Sequence, residues 1–426
     1  MLRINKLCIL FVALSLSFPM GLLQAQQRLS EPYSRFGWGE MQPRTSAALR
    51  GMGTTGYAYS DPTVVNTLNP ASYCGFDSLS SLIDAAFSFR SHSLREGGTR
   101  QQGSTAYMDY LYIGLPVSSR WATAFGFQPF SIVNYVYDRT EGSCTRHDEG
   151  QGGTYEVFWG NSLRVSRYLS VGLQASYLFG TSTRTHDLLF SDASYISSRS
   201  SDETRIRGLL LNAGLQLCIP VGKKTLGFGL TFTPSASSLL RERHSLLRTT
   251  FQPSGSSEVL LDTLAWSEAD KSVSNRKLAN PTRVGVGVSL SEKERFWAGA
   301  DFTWTDWSVF PVGETDNPLA DAARVSVGAR WTPNANSSHY WGKITLLLGG
   351  FYESDYVMQG DASMYRSGLN AGLSFPVRKS KTRISAVAEV GNYRLPVISS
   401  GISEQYVSFT LQVQLHEKWY QRRKLD

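Results

Sequence analysis

The chain is 426 residues long with a formal charge of +7, and only 18 % of its residues are charged, against 12 % aromatics and 38 glycines. Soluble domains usually carry about 25 % charged residues, so this surface is short of charge for a protein that lives in water. The excess is too modest for a chain built to bind nucleic acid, and the six histidines and four cysteines, widely spaced and without a C-x-x-C, exclude a zinc module.

Residues 1–25 begin with basic Arg3 and Lys6, continue with an apolar run from Leu7 to Leu23, and end at Ala25, the expected last residue before cleavage. That order is a secretory signal peptide. Cys8 lies ahead of most of the apolar run, which argues against a lipidated N-terminus. Removing the signal leaves a charge of +5 and the cysteines Cys74, Cys144 and Cys218. One disulfide with one thiol left over stays open. An exported chain meets no nucleic acid, so the remaining charge reads as surface chemistry.

Residues 26–76 are rich in Gly, Pro, Asn and Ser and contain "RGMGTTGYAYSDPTVVNTLNPASY". Gly51, Gly53 and Gly56 match G-x-G-x-x-G, and Asp77 follows about twenty residues on, as a dinucleotide fingerprint asks. The surroundings do not fit. "TSAALR" before Gly51 is not strand-like, and Pro62 with Ser60-Asp61 breaks any helix after Gly56. The glycines are expected instead to allow tight, positive-φ turns, and Asn69-Pro70 marks a further turn. The segment reads either as a disordered periplasmic extension or as a plug folded inside a lumen, where irregular backbone is tolerated at membrane depth.

From residue 77 to 419 the dominant signal is alternation. "RVGVGVSL" sets Val284, Val286, Val288 and Leu290 against Arg283, Gly285, Gly287 and Ser289. "LNAGLSFPV", "RISAVAEV" and "YVSFTLQVQL" repeat the pattern. Period two means strands, and an apolar face opposite Gly, Ser, Thr and Gln fits lipid outside and a polar interior. About fourteen such segments occur, near 78–90, 104–117, 121–137, 154–167, 169–182, 204–219, 224–236, 281–291, 295–307, 322–333, 342–355, 364–377, 382–394 and 405–418. Short connections ("SSR", "PVGKK", "SEKE", "RKSK") alternate with long ones at 91–103, 138–153, 183–203, 237–280 and 310–321. The pattern predicts an all-β transmembrane antiparallel barrel of about fourteen strands with short periplasmic turns, long outer loops and a lumenal plug. Trp121, Trp159, Trp297, Trp307, Trp331, Trp341 and Trp419 are expected at the membrane interfaces. Residues 420–426 form a basic tail.

These residues carry a resemblance. The 50–73 stretch, with its Gly-rich run, Asp-containing turn and Asn69-Pro70-Ala71, resembles the N-terminal hatch of the FadL/TodX family of outer-membrane transporters for hydrophobic compounds. "NPTRVGVGVSLSEKERFWAGADFTWTDWS" is similar to the family's paired late strands, with Pro281, Gly285, Asp301, Trp307 and Ser308 in matching places. "EPYSRFGWGE" and "HEKWYQRRKLD" look like the versions found in Bacteroidetes-type bacteria. The resemblance implies passive transport of hydrophobic small molecules such as long-chain fatty acids, gated by Gly51, Gly53, Gly56, Asn69, Pro70 and Ala71. It implies no cofactor, and outer-membrane lipid and lipopolysaccharide as surroundings. The chain departs from the pattern by lacking a C-terminal aromatic residue; Trp419 and Tyr420 stand in its place.

No H-E-x-x-H or G-x-S-x-G occurs, and most of His92, His147, His186, His244, His339 and His416 fall in predicted loops, so neither an enzyme nor a metal site is expected. Arg283, Arg330 and Glu389 alternate onto the inner face and are expected to line the lumen or to pair with each other and with the plug. The rival reading is a binding or scaffold barrel with a secretion or surface-assembly partner, marked by a closed lumen and large outer features such as 237–280. A closed barrel needs no second subunit, so a monomer is expected.

Overall fold

The structure, a computed structural model, describes residues 34, 38–77, 80–96, 99–190, 195, 197–250, 259–269, 279–293, 295–307, 320–335, 337–359, 362–377, 380–394 and 403–418. The signal peptide, the basic tail and Trp419 lie outside them. Alternation becomes strand throughout. After the short β1 (Glu40–Met41) come β2 (Ser80–Glu96), β3 (Thr99–Pro116), β4 (Trp121–Glu141), β5 (Cys144–Arg164), β6 (Leu169–Phe190) and β7 (Ser197–Val221). Next are β8 (Lys224–Thr233), β9 (Ala236–Thr250), β10 (Val259–Ala269), β11 (Ala279–Asn280), β12 (Thr282–Glu292) and β13 (Phe296–Asp306). The last five are β14 (Ala322–Trp331), β15 (Thr345–Gln359), β16 (Ala362–Pro376), β17 (Arg383–Arg394) and β18 (Ser403–Lys418).

All pairs are antiparallel, and β18 returns to β2 from Ser403↔Arg95 to Lys418↔Ser80, which closes the sheet. β8 and β9 form one rising run broken at Pro234-Ser235, and β10 to β12 form the descending run beside it, so the wall has the expected fourteen crossings. Closure leaves no edge exposed to hydrocarbon around most of the ring, the only way a sheet survives in lipid. Along β12, Val286, Val288 and Leu290 point outward and Gly285, Gly287 and Ser289 inward, as the alternation requires.

Three expectations need correction. The long outer loops are largely strand: 91–103, 138–153, 183–203 and 237–280 lie mostly in the tall hairpins β2–β3, β4–β5, β6–β7 and β9–β10. β4 to β7 run 21, 21, 22 and 25 residues, about twice what a tilted crossing needs. Their upper ends are polar, and polarity alone reads as loop. Above the membrane, however, a strand pair needs no apolar face, and cross-strand pairs such as Arg199–Asp187 at 2.6 Å and His186–Asp148 at 2.6 Å supply the side-chain contacts. For the same reason His92, His147, His186 and His244 sit in strands, while His416 lies in an expected strand and His339 in a turn. Finally, Trp297 and Trp307 do not belong to an interface belt. They are 4 % and 3 % exposed and face the lumen, because the two-residue period places them on the inner side of β13 and its end.

Candidate functional site: the lumenal segment and the parted wall

Residues 39–76 contact strands from all around the ring, which places them inside it. A one-turn helix, Ala47–Arg50, is wholly buried. A 3₁₀ helix, Pro70–Gly75, starts on Pro70, whose missing N–H costs nothing at a first position. The Asn69 Oδ1 accepts from Ala71 N at 3.0 Å and caps this helix. Its Nδ2 donates to the Tyr57 carbonyl at 2.7 Å and to the Leu215 carbonyl of β7 at 3.1 Å, tying the turn to the wall. Apolar side chains of the segment complete two cores: Ala47, Val65, Tyr73 and Phe76 with Tyr110, Tyr112 and Phe158, and Leu49, Met52, Tyr57 and Val64 with Trp297, Leu347 and Val387.

The three glycines act differently from one another. Gly53 has φ +69° and lies where a side chain would press on Gly350, so it alone of the three supplies a positive-φ turn. Gly51 and Gly56 have no such φ; they are small because a Cβ would come within 3.0 Å of Leu347 and of Leu68 respectively. The expectation of positive φ at all three is therefore corrected: close approach, not turn geometry, is what Gly51 and Gly56 provide. The wall answers in kind. Cβ atoms at Gly229, Gly328 and Gly349 would collide with the backbone of Tyr57 or Met52, and one at Gly172 with Pro70–Ala71.

Charge fixes the segment in place. Asp301 of β13 accepts from Gly56 N at 2.6 Å and Tyr57 N at 2.9 Å through one carboxylate oxygen. Arg50 pairs with Asp109 of β3 at 3.0 Å, and Glu40 with Arg90 of β2 at 2.7 Å. Arg330 of β14 pairs with Asp61 and donates to the Tyr59 hydroxyl at 2.8 Å. Burial by itself would raise the Asp61 carboxyl, but the Arg330 guanidinium and the hydrogen bonds from Thr63 outweigh it and hold it down to about 2. Burial likewise opposes the charge on Arg50, and Asp109 reverses the balance and raises it. Glu389 of β17 meets Arg366 at 3.4 Å, Asn370 at 2.7 Å and the Tyr406 hydroxyl at 2.7 Å, higher in the lumen. Arg283 lines a cavity of about 180 Å³ with Arg44, Arg324, Leu68, Phe130 and Leu210. The three lumen-facing charges thus stand apart from each other, and among the described residues Arg330 is the one of the three that hydrogen-bonds to the segment.

The wall is not uniform. β3 and β4 pair only from Leu111↔Phe127 to Pro116↔Ala122. Above that level β3 pairs with β2 alone. Bulges sit on both strands at the parting: Asp109 has no partner on β2, and Phe130 has none on β5. Pro129 offers no N–H for a ladder, and a bulge bends its strand away. The freed edge of β4 takes up the N-terminal segment instead. Glu40 lies opposite Ile132, Met41 opposite Ser131, and Gln42 N donates to the Phe130 carbonyl at 3.0 Å. Next to this seam, Trp38 is buried among Phe130, Leu178, Ile206 and Leu210.

Asn69, Pro70 and, of the three glycines, Gly53 alone were legible as turn chemistry. Asp301, Asp109, Arg50 and Asp61 were not singled out for these contacts, and neither were the wall glycines. The one available signal was glycine recurring on the inner phase of β8, β12, β14 and β15. Cys74, Cys144 and Cys218 are free thiols. Among the described residues no group of three or more His, Cys, Asp or Glu stands close enough to hold a metal.

In fold, the chain is similar to a FadL homologue of Pseudomonas aeruginosa, with a TM-score of 0.59 at 12 % identity over 90 % of this chain and 100 % of that one. It is similar also to the toluene transporter TodX of Pseudomonas putida (TM-score 0.58, 14 % identity, 89 % and 98 %). The toluene transporter TbuX of Ralstonia pickettii gives a TM-score of 0.58 at 12 % identity over 87 % of this chain and 97 % of that one. At such identities the likeness speaks for the fold. No curated protein matches the chain in sequence. The family model described as BamG matches residues 3–426, essentially the whole sequence, and the chain belongs to the BamG family.

Proposed function

We propose that the chain is a bacterial outer-membrane barrel that carries a small hydrophobic compound, of the long-chain fatty acid class, passively and without a cofactor, with residues 39–76 as its hatch. The observation that carries this reading is the parting of β3 from β4 beside an aromatic part of the lumen. An apolar solute crosses a polysaccharide-covered leaflet poorly. In the upper lumen it finds the surface of Phe130, Leu178, Ile206 and Leu210 on which Trp38 now lies. Displacing Trp38 and the β1 pairing would uncover the seam and give the solute a sideways route into lipid, with no passage through water. The axial route is filled by the segment, which Gly51, Gly53, Gly56, Asn69, Pro70 and Ala71 seat against the wall. The toluene transporters of similar fold support the reading.

A second reading has its own observation. The cavity of about 180 Å³ is smaller than the roughly 300 Å³ of ordinary small-molecule pockets, while β4 to β7 rise well above the membrane on one side. A sealed barrel with a tall one-sided wall is the form of a scaffold for a secretion or assembly partner. Mass spectrometry of small molecules held by the gently solubilised protein separates the two. Under the first reading a stoichiometric apolar compound is retained by the wild type and lost on deleting Asn69–Ala71. If only ordinary phospholipid appears in both, and a protein stays attached, the transport reading falls and the scaffold stands.

A further inference from the structure

The end of the barrel that bears the short turns is cationic. Arg120, Lys223, Lys224, Lys293, Arg295 and Lys343 lie in or beside four of these turns, and none of the six forms an ion pair with another described residue. All but Lys343 are exposed, and it is half-buried. Glu292 is the one carboxylate described in those four turns. By the rule that short turns face the periplasm, this rim stands at the inner leaflet's headgroups.

The cations have exposed apolar side chains close by in the chain. Arg120 precedes Trp121, which is outward and exposed. Lys223 follows exposed Val221 by two residues. The Arg295 carbonyl accepts from Thr332 N at 2.8 Å, which sets the Arg295 backbone opposite Thr332, the residue after outward Trp331. Lys343 follows Trp341, whose 78 % exposure is the highest among the exposed large apolar side chains. The 332–344 turn is the longest described at this end, and its 3₁₀ helix, Tyr340–Lys343, presents Trp341 edge-on to Tyr340 with 6.3 Å between ring centroids. An indole at the headgroup level beside an unpaired ammonium matches a lipid with an apolar tail and a negative phosphate. A soluble acidic protein matches the cations but not the tryptophans, which continue the outward apolar belt into the bilayer.

We propose that this periplasmic rim is a binding surface for anionic phospholipid, with its strongest site at Arg295, Trp341 and Lys343. A phosphatidylglycerol headgroup there keeps its net negative charge beside two cations while its acyl chains lie along Trp331 and Trp341. A phosphatidylethanolamine headgroup is neutral overall and gains less. Each basic residue near an anionic surface favours binding by roughly fivefold, so a two-cation site discriminates clearly between the two lipids.

The test uses the full-length mature protein in nanodiscs of equal phosphatidylethanolamine and phosphatidylglycerol, extracted mildly and weighed by native mass spectrometry with its bound lipid. The retained ratio of phosphatidylglycerol to phosphatidylethanolamine is expected to be about tenfold above the 1:1 ratio of the bilayer. The enrichment should fall between about 0.1 and 0.5 M salt as charges are screened, and vanish in R295Q/K343Q. W341A should reduce retention of both lipids. Heat-modifiability on gels reports barrel integrity, and the salt series in wild type keeps the test decisive if a variant does not fold. Equal retention of the two lipids overturns the proposal, as does an enrichment that neither salt nor R295Q/K343Q changes. Absent enrichment together with binding of polyglutamate that R295Q/K343Q abolishes would make the rim a surface for acidic protein.

Discussion

The wall around β12 to β15 and the wall between β3 and β4 receive the same lumenal segment by opposite means. On the first side the sheet keeps every backbone pair and gives up side chains. Gly285, Gly287, Gly328 and Gly349 leave room for Tyr57, Met52 and Gly53 to press on bare strand. On the second side the sheet keeps its large side chains, Tyr110, Tyr112 and Phe130, and gives up backbone pairing. There the segment enters as a strand and takes the hydrogen bonds that β3 leaves unmade. A closed sheet can therefore hold an inner chain either by docking it or by splicing it in. Only the second leaves a seam bridged by one short set of backbone bonds.

The largest effect should come from the docked side. Arg330→Ala strands Asp61 as a buried, unpaired carboxylate and is expected to cost about 4 kcal/mol, read from urea-dependent folding into lipid vesicles. The same pair sets a pH dependence. The Asp61 carboxyl is depressed to about 2 in the folded state against about 3.9 when unfolded. Its stabilisation is therefore complete above about pH 4 and disappears as pH falls through 2. Asp61→Asn should flatten that slope between pH 4 and pH 2, and an unchanged slope would remove the pair from the account.

Gly349→Val tests docking on bare strand. Its side chain meets the Met52–Gly53 backbone, and overpacking of this kind costs up to about 3 kcal/mol. Limited proteolysis should then cut within 39–76 far faster than in wild type, with the strands still protected. Asp301→Ala removes the acceptor shared by the Gly56 and Tyr57 amides, an expected loss of about 2 kcal/mol, with hydrogen exchange accelerated at those two amides before others. The smallest effect belongs to the seam. Pro129→Val restores an N–H, yet stability should change by less than about 1 kcal/mol and exchange at residues 101–110 should stay as it is, because bulges at Asp109 and Phe130 already separate the strands. New protection on β3 in that variant would show that the proline alone keeps the seam parted.

Strand positions, their inward and outward phase and the turns at one rim were legible because a two-residue period is local. Val286, Val288 and Leu290 declare their face within one strand. The turn at Asn69-Pro70 was legible for the same reason: proline and asparagine act on their own backbone. The upper halves of β4 to β7 were misread as loop, since polarity stops reporting strand once lipid no longer demands an apolar face. Gly51 and Gly56 were assigned the wrong physical role, since the neighbours that forbid a Cβ, Leu347 for Gly51 and Leu68 for Gly56, are identified only by the folded chain.

By itself, then, the sequence determined an all-β chain with one face for lipid, and a Gly-rich stretch unsuited to helix or regular strand ahead of it. Tertiary structure alone decided what that stretch holds on to. Arg50 finds Asp109 across 59 residues, and Gly56 finds Asp301 across 245. It also decided where the wall parts, because the parting depends on bulges that two separate strands place at one height. Spacing along a chain records the geometry of one strand. It does not record which residues a closed ring brings face to face.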